Sequence, residues 1–253
     1  MSNTALERLA DLALPGTVRR GALPAEPVRR LPFGVGPLDA LLDGGLPRGH
    51  LSEIVGGPAS GRTAVLHALL AGATRAGEAT AVVDLPDALD PNALSRAGAD
   101  LARVLWVRPP SLPSALKCAE LILAAGGFGL VVLDLDAGGL RARRAAAPAV
   151  WLRLAQTARR ARTAAVIAAP ERLANGVASL ALTLTARRVR WSAGLLDGFT
   201  TAAAVTRSRF GSTERAVVVQ LGEQSAAADD VQLERVAGGQ RRRGEVRIRS
   251  ARD

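Results

Sequence analysis

The sequence predicts an α/β protein in which a mostly parallel central sheet is extended by antiparallel strands on its C-terminal side. Two observations support this fold class. Between residues 51 and 168, short continuous apolar runs alternate with segments of helical periodicity, the pattern of parallel strands buried on both faces. After residue 175, apolar and polar residues alternate and no helical segment separates the runs, which is typical of antiparallel strands.

Each predicted element follows from its local pattern. The helices show apolar residues at helical spacing and end at glycine or charged residues; we expect them at 1–13, 62–75, 91–98, 111–125 and 148–160, with one helical turn at 38–42. The strands are the apolar or alternating runs between them, at 51–55, 80–84, 104–107, 130–133, 164–168, 180–191, 199–206 and 215–221.

The chain of 253 residues predicts one core domain at 32–222. Residues 1–31, an N-terminal helix and a Pro- and Arg-rich strap, precede it, and residues 223–253 form a basic tail that we expect to be flexible. No apolar run reaches the roughly 18 residues of a membrane span, and the first residues lack the order of a signal peptide, so we expect a cytoplasmic protein. Cys118 is the only cysteine, which excludes an internal disulfide.

The net charge of +10 comes almost entirely from arginine, since Lys117 is the only lysine among 33 basic residues. Such a balance favours an anionic partner, either nucleic acid or an acidic protein surface. Aromatic residues that could stack on bases are scattered, so any DNA binding should be mainly to phosphate, salt-sensitive and independent of sequence.

A phosphate-binding motif follows the first strand of the core. Its residues are Gly56, Gly57, Pro58, Ala59, Ser60, Gly61, Arg62 and Thr63. The spacing is that of a P-loop, G-x-x-x-x-G-K-[ST], but Arg62 occupies the lysine position. A broad planar guanidinium does not fit the space of the compact lysine ammonium, so catalysis should suffer. Thr63 would supply a hydroxyl ligand for Mg²⁺, and Asp134 the Walker B carboxylate, if ATP binds.

Three motifs resemble the RecA recombinase family: residues 44–56 around the P-loop lead-in, 84–91 after the second strand, and 130–134 at the Walker B strand. The resemblance covers residues 31–221 and implies a RecA-like P-loop core. It also implies that catalytic side chains have been lost, because Pro86 occupies the position of the family's catalytic glutamate and residues 168–170 lack its sensor glutamine. We therefore expect a degenerate ATP site and assign no catalytic residue, while Asp84, Asp87 and Asp136 remain alternative carboxylates. Nucleotide binding is left open.

The same resemblance locates two DNA-binding loops. The first is a short basic stretch with Arg141, Arg143 and Arg144, and the second, between residues 171 and 180, is almost lost. Arg207 and Arg209 match two family lysines that reach a neighbouring subunit's nucleotide; a solvated strand end is the alternative. The tail adds further arginines that could contact DNA or protein, Arg241, Arg242 and Arg243.

Within RecA-like proteins, the pattern of losses resembles ImuA, the companion protein of bacterial mutagenesis cassettes. This resemblance implies a non-recombinase accessory role in damage-induced translesion synthesis, with the nucleoid as its location. The implied partners are a Y-family-like protein, an error-prone replicative polymerase, RecA, and single-stranded or primer-template DNA; self-association is a further option. Two alternatives remain: a DNA-stimulated ATPase switch, and a regulator of RecA filaments.

Overall fold

A computed structural model describes residues 28–135, 147–192, 195–211, 213, 215–221 and 233–235. The predicted helix at 1–13, Arg141, Arg143, Arg144, Asp136 and Arg241 to Arg243 lie outside these residues. The described part confirms an α/β fold with a mostly parallel sheet and antiparallel strands at one side. In the described residues, no helix is both long and apolar enough to cross a membrane.

The predicted elements within the described residues occur in the predicted order, with boundaries that shift by at most four residues. The helices are α1 Gly36–Leu41, α2 Arg62–Arg75, α3 Pro91–Arg96, α4 Leu112–Ala125 and α5 Pro148–Ala161. The strands are β1 Arg30–Leu31, β2 Leu46–Pro47, β3 Leu51–Val55, β4 Thr80–Asp84, β5 Val104–Val107, β6 Leu130–Asp134, β7 Ala164–Ala169, β8 Leu180–Ser192, β9 Leu195–Ser208, β10 Arg215–Leu221 and β11 Leu233–Arg235. β1, β2 and β11 were not predicted, and β11 lies within the segment predicted as a tail.

The described strands form a nine-stranded sheet in the order β11-β10-β9-β8-β3-β7-β6-β4-β5. Strands β3 to β7 are parallel, and β8, β9, β10 and β11 pair with one another antiparallel. β1 and β2 form a separate antiparallel ribbon. β3 therefore lies where the parallel half of the sheet meets the half that contains the antiparallel strands.

β8, β9 and β10 pair antiparallel as predicted, and β8 also runs parallel to its other neighbour, β3. Parallel neighbours need a crossover, which usually contains a helix. Here residues 170–179 cross β3 without one. The Glu53 carboxylate, only 1% exposed, accepts hydrogen bonds from the backbone N–H groups of Leu173 and Ala174, both 2.7 Å. A buried side chain of β3 thus holds the crossing segment.

Helices cover both faces of the sheet. On one face, α1 and α2 contribute Leu38, Val65 and Leu69 to a core with Ile54 and Val132. On the other, α4 and α5 contribute Leu123, Trp151 and Leu154, which pack with Val131 and Ile167. Since successive residues of a strand point to opposite faces, continuous apolar strands such as β6 serve both cores. The result is a three-layer arrangement whose loops meet at the two edges of the sheet.

Candidate functional site

The predicted P-loop links the end of β3 to the start of α2. Its first residue is tied to the sheet, because the Gly56 N–H donates to the Ala169 carbonyl oxygen at 3.1 Å. A turn follows, in which the Ser60 N–H donates to the Gly57 carbonyl oxygen at 3.2 Å. Residues 57–59 are exposed, so the outer part of the loop faces solvent. A loop of this kind aims backbone N–H groups and a helix N-terminus at an anion.

Glycine is required at position 61 both by the backbone angle and by the lack of room for a side chain. It precedes α2 with φ of 86°, in the left-handed region, and a Cβ there would lie 2.6 Å from Cε2 of Phe199. The hydroxyl of Thr201, also on β9, donates to the Ser60 carbonyl oxygen at 2.7 Å. Strand β9 therefore supports the P-loop from beneath, a contribution that the motif itself does not reveal.

Arg62, the residue that departs from the P-loop pattern, is buried with only 6% of its surface exposed. Its Nη1 donates to the carbonyl oxygen of Gly56, the first residue of the loop. The guanidinium is therefore folded back onto the loop's own backbone. A lysine in this motif instead presents a compact charge to the terminal phosphates of a nucleotide.

A cavity of about 440 Å³ opens at the P-loop. The loop lines it together with Ala64, His67, Val189 and Phe199. Two buried polar atoms of cavity-lining residues, Oγ of Ser60 and Nε2 of His67, have no hydrogen-bond partner within the described residues. Burial lowers the pKa of His67 despite the opposing effect of Asp90. Unpartnered buried polar atoms fit a site that receives a polar ligand, and the volume is in the range of small-molecule sites.

The sequence motif did not identify His67 as a residue of this site. The signal that could have identified it is its spacing, because His67 follows Thr63 by four positions and so lies on the same helix face. Thr63 is itself exposed at the start of α2. If a nucleotide with Mg²⁺ binds, the loop backbone, Ser60, Thr63 and His67 are the groups positioned to hold it.

Asp134 ends β6 and is half-buried. It pairs in register with Ala168 of β7, and β7 in turn adjoins β3. Because the carboxyl ends of parallel strands meet at one edge of the sheet, Asp134 and the P-loop lie at the same edge. The structure thus brings the predicted Walker B carboxylate to the edge that carries the loop.

Asp84, one of the alternative carboxylates, is 1% exposed and already engaged. Its Oδ1 accepts the Ala88 N–H at 3.2 Å, and its Oδ2 accepts the Leu89 N–H at 2.9 Å and Trp106 Nε1 at 3.1 Å. Asp84 therefore shapes the turn after β4 and is not positioned as a general base. Asp87 is exposed and lies 3.6 Å from Arg108 in an ion pair.

Arg207 and Arg209 lie at the opposite edge of the sheet from the P-loop. Ser208 pairs with Leu180 at the start of β8, next to the beginning of β3. Nε of Arg207 donates to the Ala178 carbonyl oxygen at 2.7 Å, and Nη2 of Arg209 to that of Gly176 at 3.1 Å. Neither side chain can reach the P-loop of its own chain, so the predicted contact with a neighbour's nucleotide stays a prediction.

Comparison of the sequence with known proteins finds similarity to RecA. Residues 16–144 match a family model described as the RecA N-terminal domain. Protein RecA of Streptomyces avermitilis is 33% identical over 144 residues, covering 53% of this chain and 38% of that protein. Protein RecA of Clavibacter michiganensis subsp. michiganensis is 37% identical over 133 residues, covering 52% and 37%. The match spans less than two fifths of these relatives' length.

A solved structure shows the same fold. The crystal structure of the RadB recombinase superposes with a TM-score of 0.59, 19% identity, and coverage of 77% of this chain and 97% of that one. At this identity the likeness concerns the fold alone.

Proposed function

The chain belongs to the RecA family, and from this premise we propose that it is a non-recombinase accessory protein of damage-induced translesion synthesis, of the ImuA kind. The observation that supports the proposal most is Arg62, which replaces the P-loop lysine and is buried against the Gly56 carbonyl oxygen. A site built this way retains the backbone cradle but lacks the point charge that P-loop chemistry uses.

The surroundings of the loop support the same conclusion. Pro86 offers no carboxylate where the family has its glutamate, and Asp84 is engaged with the turn after β4. Loss of a general base typically lowers a rate by about 10²- to 10⁴-fold. We therefore expect ATP turnover to be lost. This expectation concerns turnover only and not the binding of ATP and Mg²⁺.

In this proposal the protein acts through contacts with the mutagenic polymerase complex, comprising the Y-family-like partner and the error-prone replicative polymerase. RecA and single-stranded or primer-template DNA are the other proposed partners, and the protein would act at the nucleoid in the cytoplasm. Its DNA or protein contacts would come from the arginines of residues 141–144 and 241–243. The excess of basic residues supports an anionic partner.

The first test measures ATP binding and hydrolysis by the purified protein, with and without single-stranded DNA. We expect no turnover in the wild type or in R62K, because R62K restores the lysine while Pro86 still provides no base. R62K should bind ATP more tightly than the wild type if Arg62 is what weakens the cradle. Thr63→Ala is the control, and DNA-dependent turnover that disappears in Thr63→Ala would contradict the proposal.

The second test measures damage-induced mutagenesis in cells that lack the gene and carry a variant copy. Thr63→Ala and Asp134→Ala should leave mutagenesis largely intact, whereas R143E/R144E or removal of residues 240–253 should abolish it. A deletion strain with normal mutagenesis but impaired recombination would point to a recombinase instead.

Two alternatives rest on specific observations. The unpartnered Ser60 Oγ and His67 Nε2 in the P-loop cavity favour a nucleotide-binding switch, which the ATP measurements distinguish. Arg207 and Arg209, at the edge opposite the P-loop, favour head-to-tail contact with another RecA-like subunit, as a regulator of RecA filaments would make. Such a regulator would alter RecA strand exchange without any polymerase present.

A further inference from the structure

A second cavity, of about 1150 Å³, lies at the edge of the sheet opposite the P-loop. Three turns that lead into strands build it: residues 48–50 before β3, residues 127–129 before β6, and residues 159–162 at the end of α5, before β7. Glu78, before β4, and Val28 and Arg29, before β1, complete the lining. The cavity is therefore made from the amino-terminal ends of strands, far from the nucleotide motif.

Close backbone packing brings the basic residues of this cavity together. The Gly49 N–H donates to the Thr163 carbonyl oxygen at 3.0 Å. A Cβ on Gly49 would lie 3.7 Å from the Arg159 Cα and 3.8 Å from the Arg162 Cα. Arg162 ends α5 with a left-handed φ of 56°. The turn that carries Arg48 is thus pressed against the end of the helix that carries the other two arginines.

The cavity carries a strong excess of positive charge. Arg29, Arg48, Arg159 and Arg162 line it, and Glu78 is the only acidic residue in the lining. Glu78 is paired with Arg48 at 2.6 Å, and no ion pair within the described residues involves the other three arginines. A cleft lined by one sign of charge focuses its field and attracts counter-ions.

His50 also lines the cavity, and its pKa is lowered. Burial lowers its pKa, and Arg159, Arg209 and Arg30 lower it further, in that order. Its Nδ1 lies 3.2 Å from the Ser179 hydroxyl, and Phe210 packs edge-on against its ring. Of these three arginines, Arg159 lines the cavity itself, and Arg209 and Arg30 lie close enough to His50 to act on it.

The chemistry of the lining favours phosphate. Guanidinium groups bind phosphate oxygens in a planar, bidentate way, and arginine is the residue that such recognition uses most. Val28 and Phe128 are the only sizeable apolar side chains of the lining, so a ligand must bind mainly through its charge. A nucleic-acid strand carries one charge on every unit, and a cleft of this size admits a few nucleotides of a single strand.

We propose that this cavity binds the phosphodiester backbone of single-stranded nucleic acid. The site is distinct from the P-loop, and its lining contains none of the residues that the sequence analysis assigned to DNA contact. It does not depend on the accessory role proposed above, because the test below measures only binding by the purified chain.

The test uses the dependence of binding on salt. The affinity of the full-length protein for fluorescein-labelled dT20 is measured by anisotropy at several salt concentrations. Each phosphate contact to a single strand contributes about 0.7 to the slope of log K against log salt. The variant R159Q/R162N removes two charges, and asparagine tolerates the left-handed backbone of position 162. The matched control, R96Q/R153Q, removes two exposed arginines elsewhere, each in an ion pair with a carboxylate.

We expect the slope to fall by about 1.4 in R159Q/R162N and to be unchanged in the control. Thermal unfolding checks that both double variants are folded. If R159Q/R162N is not folded, the single variant R159Q replaces it and is expected to lower the slope by about 0.7.

In a second experiment, tripolyphosphate and polyglutamate of equal total charge compete with the labelled strand for the protein. Tripolyphosphate should compete better with the wild type than with R159Q/R162N. Equal slopes in the two double variants, or polyglutamate competing as well as tripolyphosphate, would overturn the proposal.

Discussion

Removing the carboxylate of Glu53 should loosen the crossover that carries the chain from β7 to β8. Glu53 lies in the middle of β3 with 1% of its surface exposed. Its Oε1 accepts two backbone N–H groups at 2.7 Å, and its Oε2 lies 3.2 Å from Nε of Arg172. In Glu53→Ala all of these donors lose their acceptor, and two of them are buried backbone groups of Leu173 and Ala174.

The size of the effect follows from these contacts. A hydrogen bond to a charged group contributes about 1.5–3 kcal/mol. Arg172 is 34% exposed, so solvent screens the ion pair and most of the cost comes from the two backbone donors. We expect Glu53→Ala to lower the free energy of unfolding by about 4 kcal/mol. In a chain of 253 residues that corresponds to a fall in Tm of about 8–16 °C.

Differential scanning calorimetry and urea unfolding measure this directly, with two companion variants. Glu53→Gln keeps a carbonyl oxygen for the two N–H groups but turns an amide donor towards Arg172, so it should cost about 1–2 kcal/mol. Arg172→Ala should cost about 1 kcal/mol or less, since the carboxylate keeps its backbone donors. A fall in Tm of less than about 3 °C in Glu53→Ala, or equal damage from Glu53→Gln and Glu53→Ala, would show that Glu53 does not hold the crossover.

Two further perturbations follow from the P-loop region. Gly61→Ala should destabilise the protein by about 1–3 kcal/mol in urea unfolding, because alanine is strained at a φ of 86° and its Cβ meets Phe199. Adding Phe199→Leu should recover the part due to the clash; no recovery would mean that backbone strain alone is responsible. The lowered pKa of His67 means that the unfolded chain takes up the proton first, so its contribution to stability is full above the usual value of 6.5 and is lost as pH falls below it. The drop in Tm between about pH 7.5 and about pH 5.5 should therefore be smaller in His67→Gln than in the wild type, and an equal drop would contradict this assignment.

The central parallel strands were predictable because their apolar runs are bounded by charges or turns. β3 to β6 agree with the expected ranges to within one residue, and the end of β7 moves only to Ala169. The β1–β2 ribbon was missed because two-residue strands are too short to show a period. The parallel pairing of β8 with β3 was missed for a different reason: the crossover contains no helical pattern, and the side chain that stabilises it, Glu53, belongs to another element.

For the candidate site, glycine spacing predicted where the P-loop lies but not how its arginine is arranged. A charged residue is normally expected at the surface, so the burial of Arg62 against the Gly56 carbonyl oxygen could not be anticipated from the motif. The supports of the loop, Phe199 and Thr201, lie on a strand remote in sequence and carry no phosphate-binding signature. Periodicity and motifs describe local chemistry, whereas these contacts depend on topology.

The contact between Ser60 and Thr201 joins positions 141 residues apart. The P-loop therefore cannot acquire its final shape from its neighbours in sequence alone, because a side chain of β9 hydrogen-bonds to its backbone. Contacts of such long range form slowly, since the entropy of closing the intervening chain must be overcome before they stabilise anything. During synthesis the whole P-loop motif emerges from the ribosome long before the strand that shapes it. A nascent chain that ends before β9 would therefore contain every residue of the motif and still lack the β9 contacts that support the loop.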